Sequence, residues 1–330
     1  MAKLMLHVGT HKTATSWVQN AFMVNRDLLH QHGVYYPDRV VGYAHHGYIA
    51  QWVHLPDIYH VFPDTLAAWH DLADRYASRH GVVVMSSEEF SRSDHRVDFA
   101  ALKPVFNRFE EVRVVGLLRD QLSYIQSIYL QISKTQQPPG WMDFLASSLR
   151  TNTCSGLFLN YHELLDFFAN HFGTEAIGFA SYSEASKSEG GVLGHFLRET
   201  GLSPADLPLA PVAPENANVS QNPLAVWMAN VVARPDISTQ PLIRAASDVL
   251  QKIAPDRSRS TIYTEQEIAT ATRHFARTNE GLAKRTNGRI DFTDATAFPA
   301  QTCVHRNAIT SEAWVEMCRL LFLQQHSPSL

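Results

Sequence analysis

The chain has 330 residues, 45% of them hydrophobic, which is enough to bury a large core in one or two domains. Its net charge of −4 and pI near 6.5 argue against a general nucleic-acid or anionic-membrane surface, while leaving room for a local basic pocket. Cys154, Cys303 and Cys318 show neither metal-ligand spacing nor a paired framework, and no apolar run approaches a membrane span; with a strand beginning almost at the N-terminus, the expectation is a cytoplasmic protein without a signal peptide.

Lys3–Val8 reads as a short buried strand, in which Leu4, Leu6 and Val8 alternate with Met5 and His7. Gly9 breaks it, and Thr13-Ala14-Thr15-Ser16 opens a helix through Trp17, Val18, Ala21 and Phe22. Gly33–Pro37 is a short strand closed by proline. A polar stretch with His45-His46 follows, then an amphipathic segment around Ile49, Trp52 and Val53, and a helix over 66–79. Gly81–Met85 is a continuous apolar run, the pattern of a strand covered on both faces in a parallel sheet, and Val112–Leu118, VRVVGLL, is a second apolar strand. Helices are predicted over 97–109, 122–133, 160–172 and 191–200, with a strand near 176–180. This alternation predicts a doubly wound α/β fold. Prolines 204, 208, 211, 214 and 223 punctuate 202–223, which reads as a long loop or linker. Residues 224–285 are mostly helical in pattern, and another helix is expected over 310–323. The organisation expected is an α/β core over 1–201, the Pro-rich segment 202–223, and a helical C-terminal region over 224–330 packed on the core as part of one domain.

Three strand ends carry suitable chemistry. Lys12 follows the first strand, Ser87 and Glu88 follow the strand at 81–86, and Arg119 follows the strand at 112–118. In an open parallel sheet, ligands bind outside the carboxyl ends of the strands, so neighbouring strands would bring all three to one crevice. The first loop, Gly9-Thr10-His11-Lys12-Thr13-Ala14-Thr15-Ser16, reads as an anion cradle: free N–H groups at a helix start, the helix dipole, and a lysine at the mouth. It is not a Walker A loop, because Lys12 comes three positions after Gly9 and Ala14 stands where a second glycine would be.

The run Lys12-Thr13-Ala14-Thr15-Ser16-Trp17 resembles the phosphosulfate-binding loop of sulfotransferases, K-[ST]-G-T-[TS]-x, with alanine in the glycine position. Arg119-Asp120-Gln121-Leu122-Ser123-Tyr124-Ile125-Gln126-Ser127 resembles that family's second signature, an arginine followed eight positions on by a serine. HVGTHKTATS, GVYYP, the histidine pair, SSEEF, LLRDQLSYIQSIY and FARTNEGLAKR together are similar to bacterial sulfotransferase-domain proteins, mostly within the first 135 residues. The resemblance implies a P-loop-like α/β fold and 3′-phosphoadenosine-5′-phosphosulfate (PAPS) as donor, with 3′-phosphoadenosine-5′-phosphate (PAP) as product and no metal. It implies that the loop N–H groups with Thr13, Thr15 and Ser16 hold the 5′-phosphate. Lys12 would neutralise the bridging oxygen as it leaves, and Arg119 with Ser127 would hold the 3′-phosphate through a guanidinium fork and a hydroxyl. Ser123 competes with Ser127, since residues four apart share a helix face. Trp17 either stacks on the adenine or serves as a core aromatic.

The acceptor must lose a proton. Glu88 and the pair His45 and His46 are the candidate bases, Glu88 by topology and the histidines because imidazole titrates near neutral pH. Glu89 reads as solvated. The polar segment ENANVSQN near 216–222 is either a lid or a loop in which Asn222 caps the next helix, and Asn279 and Lys284 are further possible contacts. The expectation is a PAPS-dependent sulfotransferase acting on a small-molecule or carbohydrate acceptor. The competing readings are an ATP-dependent small-molecule kinase and a catalytically silent PAP-binding protein on the same fold.

Overall fold

The computed structural model describes residues 1–38, 41–94, 96–212, 221–257, 259–293 and 297–326. In chain order its main elements are β1 (Lys3–His7), α1 (Thr15–Val24), α2 (Arg26–Gln31), β2 (Val34–Tyr35), α3 (Thr65–Tyr76), β3 (Val82–Ser86), α4 (Phe99–Phe106), β4 (Val112–Leu118), α5 (Gln121–Ile132), α6 (Trp141–Thr151), α7 (Tyr161–Phe172), β5 (Ile177–Ser181), α8 (Tyr182–Lys187) and α9 (Gly191–Glu199). Then come α10 (Pro223–Ala233), α11 (Gln240–Ile253), α12 (Glu265–Arg285) and α13 (Ser311–His326). Contacts gather these into two compact units. The first takes Met1–Arg119, Gly156–Ala217 and Gly281–Asp291; the second takes Asp120–Ser155, Asn218–Glu280 and Phe292–Leu330.

The first unit is an α/β layer structure around a parallel sheet of order β2-β3-β1-β4-β5. β1 is central: Leu4 and Leu6 lie opposite Val83 and Met85 on one side and Val112 and Val114 on the other. Such strands must be apolar on both faces, because helices cover both. The chain runs from β1 outward to β2 and β3, then across β1 to β4 and β5, so the strand order reverses beside β1. That reversal opens a crevice at the carboxyl ends of β1, β3 and β4. Met5, Val84, Val115 and Leu117 pack with Val18 and Phe22 of α1 and Phe196 and Leu197 of α9. Each fully buried side chain of that size contributes roughly 1.5–3 kcal/mol of transfer free energy. Asp64, Asp98 and Asn160 cap α3, α4 and α7 by accepting from first-turn N–H groups.

The described start of the Pro-rich segment is packed rather than free. Leu207 is buried in the same core, and the Asn25 amide both donates to the Ala210 carbonyl and accepts from the Ala210 N–H. Residues 213–220, which include most of the segment read as either a lid or a loop, lie outside the described residues.

The second unit is helical. Leu224 and Met228 of α10 pack with Val249 and Leu250 of α11, Met317 of α13, and Val304. Asn222 caps α10, accepting from Leu224 and Ala225. α6, which the sequence pattern left unassigned, buries Trp141 edge-on against Tyr129 and Tyr263, with ring centroids 5.1 and 4.7 Å apart.

Candidate active site

The loop after β1 is zipped to β4 beyond the end of the strand. The Leu117 N–H donates to the Gly9 carbonyl (2.7 Å), and both the N–H and the hydroxyl of Thr10 donate to the Leu117 carbonyl (3.1 and 3.0 Å). Gly9 has φ +94°, and a Cβ there would stand 2.9 Å from the Glu88 Cβ and 3.1 Å from its Cα. Only glycine fits both the angle and the space. The Thr10 carbonyl then gathers the hydroxyls of Thr13 (2.6 Å) and Thr15 (3.0 Å).

A hydroxyl has one proton to give. In this structure Thr13 and Thr15 spend theirs on building the loop, so of the loop hydroxyls it is the exposed Ser16 that can face an anion, beside the N–H groups of the helix start. The helix begins at Thr15, two residues later than its sequence suggests. Ala14 is its cap, at φ 63° and ψ 24°, and Lys12 also has φ 60°. Alanine is therefore not absorbed into a helical first turn; it holds a left-handed conformation that glycine adopts far more readily. Ala14 has no side-chain acceptor for the N–H groups of Thr15, Ser16 and Trp17, and the first turn of α1 contains no acidic residue. The positive end of α1 thus meets no carboxylate of its own. Trp17 is half-buried against the core together with Ala14, which accounts for its packing while leaving part of the indole exposed.

At the end of β3 the Ser87 N–H donates to the His7 carbonyl (3.0 Å), continuing the pairing with β1. Glu88 packs on Gly9, and its Oε2 accepts from the Gln19 side-chain amide (2.9 Å) and lies 4.0 Å from His46 Nε2. His46 Nδ1 is 2.6 Å from the Ser87 hydroxyl. Glu88, His46, Ser87 and Gln19 therefore form one connected group beside the loop, and Gln19 was not singled out from sequence.

His45 is engaged differently. Its Nδ1 accepts from the Ser86 N–H (3.0 Å), which puts its proton on Nε2, 3.0 Å from the Pro37 carbonyl. The ring is fully buried, and burial pushes its pKa down to about 4 against the opposing backbone hydrogen bonds. Both nitrogens are occupied, so His45 pins the β3 end to the segment after β2, and His46 is the histidine that reaches Glu88.

Glu89 is not solvated: its side chain is 15% exposed and its Oε1 lies 3.1 Å from His11 Nε2. Burial raises its pKa, but the hydrogen bond and charge of His11, with Arg92 at 3.6 Å, outweigh burial and the net direction is downward. His11 is thus a loop fastener held by β3.

At the end of β4, Arg119 is half-buried, with Nη1 3.5 Å from the Lys12 carbonyl and the guanidinium 5.8 Å from the centre of the Tyr182 ring. The Tyr161 hydroxyl donates to the Arg119 carbonyl (2.5 Å) and fixes the chain there. The structure thus brings Gly9–Ser16, Glu88, His46 and Arg119 to the same crevice. Ser127 is partly buried on α5 in the second unit. Asn279, also in that unit, exchanges two hydrogen bonds with Gln121 (2.8 and 3.2 Å) and is 7% exposed, so its amide serves as a clamp on α5 rather than a ligand contact. Lys284 is exposed.

Among the described residues no three or more His, Cys, Asp or Glu gather in a way that would hold a metal ion, and no helix is long and apolar enough to cross a membrane. No protein-family model and no curated protein matches the chain. Among solved structures it is similar to a sulfotransferase from Alicyclobacillus acidocaldarius, at 15% identity, covering 64% of this chain and 86% of that one, with a TM-score of 0.40. It is also similar to the sulfotransferase domain of the Synechococcus PCC 7002 olefin synthase, at 10% identity, covering 61% and 73%, with a TM-score of 0.33. Likeness at this level decides nothing about chemistry; the residues of the crevice must carry that.

Proposed function

We propose that this chain is a sulfotransferase that moves a sulfuryl group from PAPS to a hydroxyl or amine acceptor, with carbohydrates among the acceptors. The observation that supports this reading most is one juxtaposition: a helix start without a capping acceptor, Lys12 at its mouth, Arg119 3.5 Å from the Lys12 carbonyl, and Glu88 packed on Gly9.

In this reading the N–H groups of Thr15, Ser16 and Trp17, with the Ser16 hydroxyl, take the 5′-phosphate. Lys12 neutralises the oxygen that leaves sulfur. Arg119 binds the 3′-phosphate, and the exposed part of Trp17 meets the adenine. PAPS supplies the sulfuryl group and a good leaving phosphate. Glu88 removes the acceptor's proton as the new bond to sulfur forms and the bond to the bridging oxygen breaks, so the products are the sulfated acceptor and PAP. Gln19 holds Oε2 of Glu88 and leaves Oε1 for the acceptor. His46, held by Ser87, steadies the same carboxylate, and His45 takes no part in the transfer. Positioning and electrostatics do most of the work, as in phosphoryl transfer.

The test is calorimetric titration with PAP, with ATP–magnesium as control. Saturable PAP binding is expected, weakened at least about 10-fold, or about 1.4 kcal/mol, by Arg119→Ala. A preference for ATP–magnesium would move the assignment to the kinase reading, and absence of PAP binding would end the sulfotransferase one. Ala14 in its left-handed cap favours one second reading, a silent PAP-binding protein. There PAP binds but no acceptor is sulfated, and Lys12→Ala has no transfer activity to remove.

A further inference from the structure

At the edge of the sheet, α2, β2, the residues after β2 and the end of α3 form a cleft of about 200 Å3 lined by Arg26, Asp27, His30, Tyr35, Asp38, Tyr76 and Arg79. That is room for roughly six or seven waters at about 30 Å3 each, or one small organic molecule. None of these residues is among those proposed to act on donor or acceptor.

Arg79 is held in place. Its guanidinium lies 5.4 Å from the Tyr35 ring centre and 5.3 Å from that of Tyr76, and the rings are 5.7 Å apart. Its Nε donates to the Arg75 carbonyl (3.0 Å), and the Tyr35 hydroxyl donates to the His80 carbonyl (3.0 Å). Among the described residues Arg79 makes no ion pair with a carboxylate. A guanidinium ordered on aromatic faces, with Nε already used, keeps its terminal nitrogens for an oxyanion. Both carboxylates stand by Arg26 instead, with Asp27 at 3.6 Å and Asp38 at 3.9 Å. Those separations exceed hydrogen-bond length, so Arg26 is partly neutralised without its fork being filled. The His30 ring meets Tyr35 edge-on at 5.0 Å and closes the aromatic wall.

We propose that this cleft binds a small organic oxyanion, a phosphate or carboxylate carried on a flat ring. Arg79 takes the anion, Arg26 turns towards it, and the tyrosine and histidine rings take the body. Two acidic neighbours at the Arg26 end disfavour a dianion placed there and direct the anion to Arg79.

Phenyl phosphate, benzoate and inorganic phosphate, titrated calorimetrically against the whole protein, test this. Phenyl phosphate or benzoate should saturate and bind more tightly than inorganic phosphate, and the stronger of the two identifies the head group. Arg79→Gln should weaken binding at least about 10-fold. Arg79 is exposed, so the fold should survive, and Arg79→Lys should retain only part of the affinity because the charge stays and the fork is lost. The titrations are repeated with PAP saturating, which should leave binding in this cleft unchanged. Binding kept by Arg79→Gln but lost on adding PAP would put the anion at the β1 loop and overturn the proposal, as would absence of saturable binding.

Discussion

Replacing Gly9 with alanine tests the placement of Glu88 directly. Gly9 has φ +94°, a conformation that costs an L-residue about 1–2 kcal/mol. The new Cβ would also stand 2.9 and 3.1 Å from the Glu88 Cβ and Cα, which belong to chain fixed by pairing and cannot swing away as a side-chain tip would. Overpacking of that kind costs about 1–3 kcal/mol. Loss of unfolded-state freedom returns about 0.4–1 kcal/mol. The expected net loss is about 3 kcal/mol. Gly42→Ala is the control: its φ is +63° but a Cβ there meets nothing within 4 Å, so only the conformational part remains, about 1 kcal/mol after the same offset. Urea unfolding of the two variants against the parent should separate them by about 2 kcal/mol, and that difference is the contact with Glu88. If the two variants lose the same stability within about 0.5 kcal/mol, Glu88 does not pack on Gly9 and the proposed base is misplaced.

Acid should destabilise the protein before most carboxylates titrate. Burial, with His195 adding to it, pushes the His7 pKa down to about 3, and burial pushes His45 to about 4, while unfolded imidazoles bind protons near 6.5. The unfolded state therefore takes up more protons as pH falls below 6.5, so stability drops from pH 6.5 towards 4. The two residues together should remove on the order of 4 kcal/mol by pH 5, and a flat urea midpoint between pH 7 and 5 would contradict their burial as neutral rings. In the second unit, Asn279→Ala removes both hydrogen bonds that it exchanges with the buried Gln121 amide and should cost about 1–3 kcal/mol. A double-mutant cycle with Gln121→Ala should return a coupling above about 0.5 kcal/mol; additivity would mean that the amides do not act as a pair. Thr13→Val removes the hydroxyl that donates to the Thr10 carbonyl and should cost about 1 kcal/mol while also weakening PAP binding through a looser loop, which combined denaturation and titration would resolve.

The strands were legible because the sheet is parallel and covered on both faces. Nothing but an apolar run suits the buried stretches Val83–Met85 and Val114–Leu118, and such runs stand out in a chain of mixed composition. From those runs the strand ends, and hence Lys12, Glu88 and Arg119, could be read before any coordinate. α6 is hard to read although Trp141, Phe144, Leu145 and Ser148 recur at helical spacing, because Pro-Pro-Gly just before it and the polar residues between them interrupt the apolar period. The partners of the site were not legible at all. Gln19 and Glu88 are 69 positions apart, and Glu89 looks solvated until His11 and Arg92 are folded onto it. Nor could the sequence say which way a threonine hydroxyl donates. It did suggest a glycine position at Ala14, and the left-handed φ supplies the reason that a motif letter alone could not.

In the proposed reading the donor loop and the base are not independent features, because one helix touches both. The N-terminus of α1 faces the loop, and Gln19, little more than one turn along from Thr15, grips the Glu88 carboxylate. The loop in turn is tied to β4 through Gly9 and Thr10, and β4 ends in Arg119 beside the Lys12 carbonyl. Glu88 stands on the chain that follows β3, so any displacement of α1 along its axis would move the anion-facing N–H groups relative to the carboxylate proposed as base and stretch its hydrogen bond with Gln19. In the proposed reading, the separation that an in-line transfer requires, between a group at the helix start and the Glu88 carboxylate, is thus set by how α1 is seated in the core. Substitutions that loosen α1, such as loss of Phe22 from the core, are for that reason expected to harm transfer more than donor affinity, since a phosphate tolerates a shifted cradle better than a reaction tolerates a shifted base.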